Sequence, residues 1–282
     1  MTYQEIIHRL QKIYDNGEAK AIARILLEER FGLSMTDIIC GKTEELSAEE
    51  QQELENIVER LERSEPLQYI LGYADFLSYR FHVAPGVLIP RPETEELVQR
   101  VVDAASRLSC PHILDIGTGS GCIAIASALE LTKRGVSPHV EAWDISPDAL
   151  SIARQNNAAL HADICLYEVD VLGSDLKTDR QDIIVSNPPY ICESEKKDME
   201  SNVTDHEPHL ALFVPDNDPL LFYRRIAEYA TEVLNSGGWL MFEINRAYGR
   251  EVSDMLRSMN FSDVSLAEDQ FANPRIVTAR KP

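Results

Sequence analysis

Residues 186–190 read Ser-Asn-Pro-Pro-Tyr and follow the apolar run Asp-Ile-Ile-Val at 182–185. Two prolines directly after a strand-like run stop a sheet rather than continue it. Asn187 precedes a proline and is biased to extended backbone, while Pro188 has no N–H and Pro189 stiffens the bend. The outcome is a rigid corner offering two acceptors, the Asn187 side-chain oxygen and the Pro188 carbonyl. Such a pair can hold a planar NH2 group by both hydrogens, with Tyr190 able to pack on its flat face. Holding a nitrogen toward an electrophile in this way can account for most of the acceleration of a group transfer. Read alone, Asn-Pro-Pro is more often a turn than a clamp, so its surroundings decide.

A second motif, Asp-Ile-Gly-Thr-Gly-Ser-Gly, runs from Asp115 to Gly121 between a strand pattern and a helix pattern. Gly117, Gly119 and Gly121, with Thr118 and Ser120 between them, allow a tight turn and a close ligand approach. The place is the carboxyl end of a strand, where open α/β sheets bind ligands. A phosphate-binding P-loop needs Lys-Ser or Lys-Thr after its last glycine, and the chain has Cys122 and Ile123. A dinucleotide fingerprint needs Gly or Ala where Cys122 stands, so that match is imperfect. Asp115 suits a cationic ligand better, and S-adenosylmethionine carries a sulfonium and an ammonium. Asp144, followed by Ile145, ends the next strand, where a carboxylate can accept from ribose hydroxyls. Asp170, followed by Val171, ends the third, near where adenine would lie. Each aspartate by itself could be a helix cap or turn former. The three together with the glycines indicate an adenosine-cofactor site.

The elements that must position these residues begin with short amphipathic helices over 1–65. Thr2/Glu5 and Ser47/Glu50 form capping-box patterns, and Gly32 stops a helix near 18–30. The helix after Ser47 carries an acidic face (Glu49, Glu50, Glu53, Glu55, Glu59, Glu62), which reads as a solvated surface or, alternatively, a docking surface for a partner. Between 66 and 92, Leu77, Tyr79, Phe81 and Val83 alternate with polar residues as in a half-buried strand, and Pro85, Pro90 and Pro92 stiffen a connector. This hairpin and proline-rich linker is the expected domain boundary. From 93 to 282 strands and helices alternate: "HILDI", a helix over about 121–133, "HVEAWD", a helix opened by Ser146 and Pro147, "ICLYEVD", "DIIVSN", a helix near 218–234, "WLMFEI", a helix near 247–258, and strands near 263–267 and 275–280. That alternation predicts an α/β fold with a doubly wound, mostly parallel sheet.

The 282 residues carry a formal net charge of −20, which opposes a naked nucleic-acid substrate. The five cysteines are widely spaced with no Cys-x-x-Cys pair, so neither a disulfide framework nor a metal site is indicated. No apolar stretch approaches the roughly 18 residues of a membrane span, and the first ten residues lack a signal-peptide core. The expectation is a cytoplasmic monomer that contacts neither membrane nor, directly, nucleic acid.

The combination resembles the class I S-adenosylmethionine-dependent methyltransferases that modify NH2 nitrogens. Within them it is similar to the peptide chain release factor glutamine-N5 methyltransferases, through "YILGYADFLSYRFHVAPGVLIPRPETEELV" (69–98), "DIGTGSGCIAIA" (115–126), "SNPPYI" (186–191) and "GGWLMFEI" (237–244). "PRPETE" is the most family-specific part, because Asn-Pro-Pro-Tyr is shared with adenine-N6 methyltransferases. The resemblance implies a seven-stranded Rossmann-like sheet behind a small N-terminal helical bundle that docks the protein substrate. It also implies methylation of the amide nitrogen of the glutamine in the Gly-Gly-Gln motif of translation release factors, with S-adenosylhomocysteine as product. Residues 117–121, Asp144 and Val171 would touch the cofactor, Asn187 to Tyr190 would hold the glutamine, and Arg91 and Glu95 would shape the substrate side. No general base is evident; His206 and His209 read as part of a loop over the substrate. The chain departs from the family at Asn245, where a Gly is common, and at "EDQFANPRIV" (268–277), where an Arg-Asp segment is usual. The other readings are an adenine-N6 methyltransferase, a dinucleotide-dependent oxidoreductase and a binding module without turnover.

Overall fold

A computed structural model describes residues 1–174, 176–269 and 272–282. The chain forms two compact units, 1–73 with 200–206, and 74–199 with 207–282.

The first unit packs α1 (Tyr3–Leu10), α2 (Asn16–Phe31), α3 (Met35–Ile39), α4 (Ala48–Leu61) and α5 (Leu67–Leu71). Both expected capping boxes form, each with the side chain and N–H of the two partners exchanged. Gly32 ends α2 at φ 66°, in the left-handed region that favours glycine. The core is the set of apolar stripes the periodicity marks: Ile6, Leu10, Leu26, Leu54, Val58 and Leu61 are all fully buried. Within the expected hairpin and linker, Leu67–Leu71 form α5, capped by Pro66, with Leu67 facing that core. Much of the acidic face of α4 is already engaged. Glu50 caps the helix, Glu53 pairs with Arg30, and Glu55 and Glu62 both pair with Arg9. Such exposed pairs contribute about 0–1 kcal/mol each, but they leave fewer bare charges than the sequence suggests.

In the second unit, β1 (Tyr73–Phe76) and β2 (Tyr79–His82) form a hairpin. Leu77 does not continue the strand pattern; it sits in the turn at φ 52°, 37% exposed. There follow α6 (Pro92–Ala105), β3 (His112–Ile116), α7 (Cys122–Lys133), β4 (His139–Asp144), α8 (Pro147–Ala159), β5 (Ile164–Glu168) and β6 (Gln181–Ser186). After the short β7 (Ile191–Cys192) comes α9 (Ser201–Thr204), part of the first unit's returning segment. Then come α10 (His209–Leu212), β8 (Phe213–Val214), α11 (Leu221–Val233), β9 (Leu234–Glu243), α12 (Gly249–Ser258), β10 (Ser262–Glu268) and β11 (Pro274–Arg280). The sequence pattern did not mark the short pieces β7, α10 and β8.

Seven strands form one sheet in the order β10-β11-β9-β6-β3-β4-β5. β9, β6, β3, β4 and β5 run parallel, and β11 is antiparallel to both its neighbours. Central strands buried on both faces read as continuous apolar runs. Accordingly Ile113, Ile183 and Met241 face the layer of α6 and α7, while Leu114, Ile184 and Leu240 face that of α11 and α12. The strand order reverses at β3, so the carboxyl ends of β3, β4 and β6 open on one crevice. Within "EDQFANPRIV", Gln270 and Phe271 lie outside the described residues. Among the described residues no helix is long and apolar enough to cross a membrane.

Candidate functional site

The glycine turn joins β3 to α7 with Gly117, Gly119 and Gly121 at φ 77°, 55° and 83°, conformations costly for other residues. The Gly117 and Thr118 N–H groups both donate to the Trp143 carbonyl, at 2.8 and 2.9 Å. At Gly121 a Cβ would lie 2.8 Å from Ile125 Cδ1 and 3.3 Å from Ala153 Cβ, so this glycine serves packing of α7 on α8. At Gly117 and Gly119 the space is open, and both border a cavity of ≈ 250 Å³. Asn156 of α8 braces the turn from behind. Its amide donates to the Ser120 carbonyl at 2.9 Å and the His82 carbonyl at 3.0 Å, and its oxygen accepts from the His82 N–H at 2.7 Å.

The cavity is bordered by residues 86–88, 90, 91, 94, 116–120, 122, 123, 144–146, 149, 169–172, 186–189, 208, 210, 211, 222 and 226. Of the expected site residues, Gly117, Thr118, Gly119, Ser120, Asp144, Ile145, Asp170, Val171, Asn187, Pro188, Pro189 and Arg91 meet there. Asp115, Gly121, Tyr190 and Glu95 do not border it. Asp115 is fully buried inside β3, one residue short of its end. Gly121 is the N-cap of α7. Glu95 accepts from the Leu77 N–H at 2.7 Å and so secures the hairpin turn. Tyr190 turns its hydroxyl to Glu243, 3.3 Å away.

The two carboxylates at the turn differ in environment. Asp144 Oδ2 accepts from the Gly119 N–H (2.8 Å) and Oδ1 from the Ser146 N–H (2.9 Å). Burial pushes its carboxyl up, opposed by those N–H groups. Each oxygen keeps a lone pair for a further donor, as ribose hydroxyls require. Asp115 Oδ2 accepts from the Thr118 hydroxyl at 2.6 Å, whereas Oδ1 is buried without a hydrogen-bond partner. Burial pushes this carboxyl up to about 7, against the lowering effect of Thr118 and the Ala124 N–H. An orphaned buried oxygen is costly unless a donor or cation reaches it. The ribose-ready Asp144 and the open Gly117 and Gly119 border the cavity and fit a nucleoside such as that of S-adenosylmethionine, while Asp115, behind the cavity wall, could answer a cation's charge only through space. Asp170 stands two residues beyond β5 and accepts from the Leu172 N–H at 2.9 Å, shaping that edge.

The proline corner is held by β6. Ser186 is in register with Ile116, and its hydroxyl donates to the Ile116 carbonyl at 2.6 Å. The next residue on each strand is therefore Asn187 on one side and Gly117 on the other. Among the described residues neither the Asn187 side-chain oxygen nor the Pro188 carbonyl has a hydrogen-bond donor, and both residues border the cavity. Asn245, the departure noted above, donates to the Tyr190 carbonyl (3.1 Å) and to the Glu195 carboxylate (3.1 Å to Oε2), so the bulkier residue fastens the corner's far end.

Three residues of the site were passed over in the sequence. Glu207, between the two histidines of "DHEPH", is 4% exposed; it accepts from the Ile89 N–H at 3.2 Å and pairs with Arg91. That anchor sets Pro208, Leu210 and Ala211 along the cavity. Thr94 borders the cavity and donates to Glu243 Oε2 at 2.7 Å. The "PRPETE" motif was their signal, but its partners lie far along the chain. The histidines themselves do not border the cavity: His206 Nε2 meets the Arg63 carbonyl at 3.1 Å, and the His209 ring lies edge-on to Phe213. Among the described residues no group of three or more His, Cys, Asp or Glu side chains could hold a metal ion.

Two family models match the chain, the PrmC N-terminal domain over residues 2–72 and the methyltransferase small domain over 93–206. A release factor glutamine methyltransferase of Bacteroides thetaiotaomicron is 50% identical over 273 residues, covering 96% of each chain. One of Streptococcus pneumoniae is 39% identical over 271 residues, 95% of this chain and 94% of its own. Among solved structures, the Thermus thermophilus 16S rRNA N2 G1207 methyltransferase in complex with AdoMet and guanosine superposes with TM-score 0.51. It is 19% identical, over 74% of this chain and 50% of that one, a likeness of fold alone.

Proposed function

Because the chain belongs to the release factor glutamine methyltransferases, we propose that its cavity brings S-adenosylmethionine and the glutamine of a release factor together at the Asn187 corner. The reaction is methylation of release-factor glutamine, and the acceptor atom is the side-chain amide nitrogen, in the Gly-Gly-Gln motif by family likeness. S-adenosylmethionine supplies an electrophilic methyl on a sulfonium and leaves as S-adenosylhomocysteine. Gly117 to Ser120, Asp144, Ile145, Asp170 and Val171 are the residues that would hold it.

The protein's part is to make a poor nucleophile adequate. An amide nitrogen lends its lone pair to its carbonyl. Asn187 Oδ1 and the Pro188 carbonyl would accept both N–H groups, orient the nitrogen and draw electron density onto it. Prolines at 188 and 189 add no competing N–H. Apolar walls from Pro208, Phe222 and Ile226 would limit water at the bound amide and strengthen these contacts. In the transfer the N–C bond would form as the S–C bond breaks, and one N–H proton would pass along its hydrogen bond to Asn187 Oδ1 or the Pro188 carbonyl and from there to solvent as the products leave. No basic side chain is needed beside the nitrogen, because an N-methylated amide cation is a strong acid.

The observation that carries this reading is the pair of acceptors without donors, one and two residues past a strand pairing that leads directly into the glycine turn. The test is mass spectrometry of a release factor incubated with the protein and cofactor. One added methyl on the Gly-Gly-Gln glutamine is expected; methylated DNA or RNA with an untouched release factor would overturn the assignment. We further propose that the helices of 1–65 dock the part of the release factor remote from that glutamine. A truncated protein lacking them is then expected to lose kcat/KM on intact release factor by about ten-fold or more while keeping its rate on a short Gly-Gly-Gln peptide. Equal losses on both substrates, or none on either, would remove the docking role.

A further inference from the structure

Glu243 ends β9 in the middle of the sheet and is 1% exposed. Phe242 is in register with Ser186, so Glu243 lies one step past that pair, as does Asn187 on the neighbouring strand. Its two oxygens serve two motifs. Oε2 accepts from the Thr94 hydroxyl at 2.7 Å, in the first turn of α6, which Pro92 opens. Oε1 accepts from the Tyr190 hydroxyl at 3.3 Å, the tyrosine that closes Asn-Pro-Pro-Tyr. The backbone is fixed as well: the Glu243 carbonyl accepts from the Tyr223 hydroxyl at 3.4 Å, and that hydroxyl accepts from the Asn245 N–H at 3.3 Å. Asn245 in turn donates to the Tyr190 carbonyl, so the tyrosine is held at ring and backbone from one stretch of chain.

Stability alone does not account for a carboxylate here. Burial disfavours its charged form, and an apolar residue of similar volume in such a place is often neutral or stabilising. What the carboxylate offers is two acceptors at a fixed separation, bridging chain segments that no other side chain joins in this way among the described residues. We propose that Glu243 is a positioning residue for methyl transfer: by accepting from Thr94 and Tyr190 together it fixes the Asn187–Pro188 acceptors against the wall of the cavity formed by "PRPETE". This rests on the corner being the glutamine clamp. It also gives Tyr190 a different part from stacking on the amide: its hydroxyl anchors the corner.

The test separates positioning from folding and from the clamp. Glu243→Ala is expected to lower kcat about 100-fold, with the cofactor Kd and the KM for release factor within about three-fold of the parent. Glu243→Gln keeps an acceptor for Tyr190, and its amide can donate to Thr94, because a hydroxyl accepts as well as donates. Its kcat is expected within about five-fold of the parent. Should the alanine variant not fold, Tyr190→Phe and Thr94→Val each remove one hydroxyl at nearly constant volume. Each is expected to lose about ten-fold in kcat, and the double variant about as much as Glu243→Ala and no more, because both act through one carboxylate. Parent-like kcat in Tyr190→Phe and Thr94→Val, or a loss matched by weaker cofactor binding, overturns the proposal. If those variants stay active while Asn187→Ala is dead, the role of Glu243 falls and the clamp stands; if Asn187→Ala is also active, the clamp itself falls.

Discussion

Asn187→Ala is expected to lower kcat for release-factor methylation by about 1,000-fold or more, while the cofactor Kd, measured by calorimetry, stays within about three-fold. The split follows from what the side chain touches. Asn187 borders the cavity, but its amide makes no hydrogen bond to the described residues, so truncation breaks nothing in the fold. The turn that would hold the cofactor is secured independently, by the Trp143 carbonyl, Asp144 and Asn156. What disappears is one of two acceptors that orient the nitrogen, and a misaligned nucleophile forfeits most of the gain from proximity. Asn187→Gln keeps the chemistry and moves the oxygen outward by a methylene. It is expected to recover little, because the corner's value lies in where the oxygen stands. A parent-like kcat in Asn187→Ala would detach the corner from the chemistry, whatever the cofactor affinity.

The parts of the site that were legible in the sequence are those enforced locally. A glycine at positive φ, a proline without a donor and an aspartate at a strand end each constrain their own few residues. Their types therefore reveal their conformation: Gly117, Gly119 and Gly121 all adopt the left-handed region, and Pro188 and Pro189 follow one residue after the end of β6. The order of the motifs then follows from the alternation of strand and helix. What stayed hidden depends on pairs far apart in the chain. Arg91 meets Glu207 across 116 positions, and Thr94 meets Glu243 across 149. Nothing in "DHEPH" marks the glutamate as the buried member, and the histidines beside it draw the eye although neither borders the cavity. In "FEI" the glutamate reads as the polar end of an apolar strand. Leu77 misled in the opposite sense, because alternation of apolar residues carries through a two-residue turn without a break. For Tyr190 the sequence shows a position in the motif and not the direction of the side chain, whose hydroxyl turns to Glu243.

The affinity for S-adenosylmethionine is expected to tighten about ten-fold per pH unit up to pH ~7 and to level off above it, with Asp115 as the group responsible. In the free protein, burial holds its carboxyl at about 7, far above the ordinary 3.8. Below pH 7 the group is therefore mostly protonated, although a cationic ligand favours the carboxylate. Binding must then release a proton; well below pH 7 each unit of pH weakens the affinity ten-fold, and between pH 7, where half the carboxyl is already ionised, and pH 5.5 the loss is about 16-fold. The same shift has the opposite sign for folding. The native state binds the proton more tightly than the unfolded chain, so this group's favourable contribution is complete below about pH 4. It is lost as pH rises to about 7, a change on the order of 4 kcal/mol at most. Ligand-free protein should thus be least stable in the range where it binds cofactor best, and the difference between melting temperatures with and without cofactor should widen from pH 5.5 to 7.5. Asp115→Asn is nearly isosteric, retains an acceptor for Thr118 and cannot ionise. It is expected to bind about 100-fold more weakly at pH 8, with no slope between pH 5.5 and 7. Calorimetry in buffers of different ionisation enthalpy should count about one proton released at pH 6 by the parent and none by the variant. The ligand's own ammonium titrates nearer pH ~8 and affects both proteins alike, so the difference between them isolates Asp115. A parent profile as flat as that of Asp115→Asn would mean that the buried carboxyl keeps its proton when the cavity fills, and that Asp115 braces the turn without answering the ligand's charge.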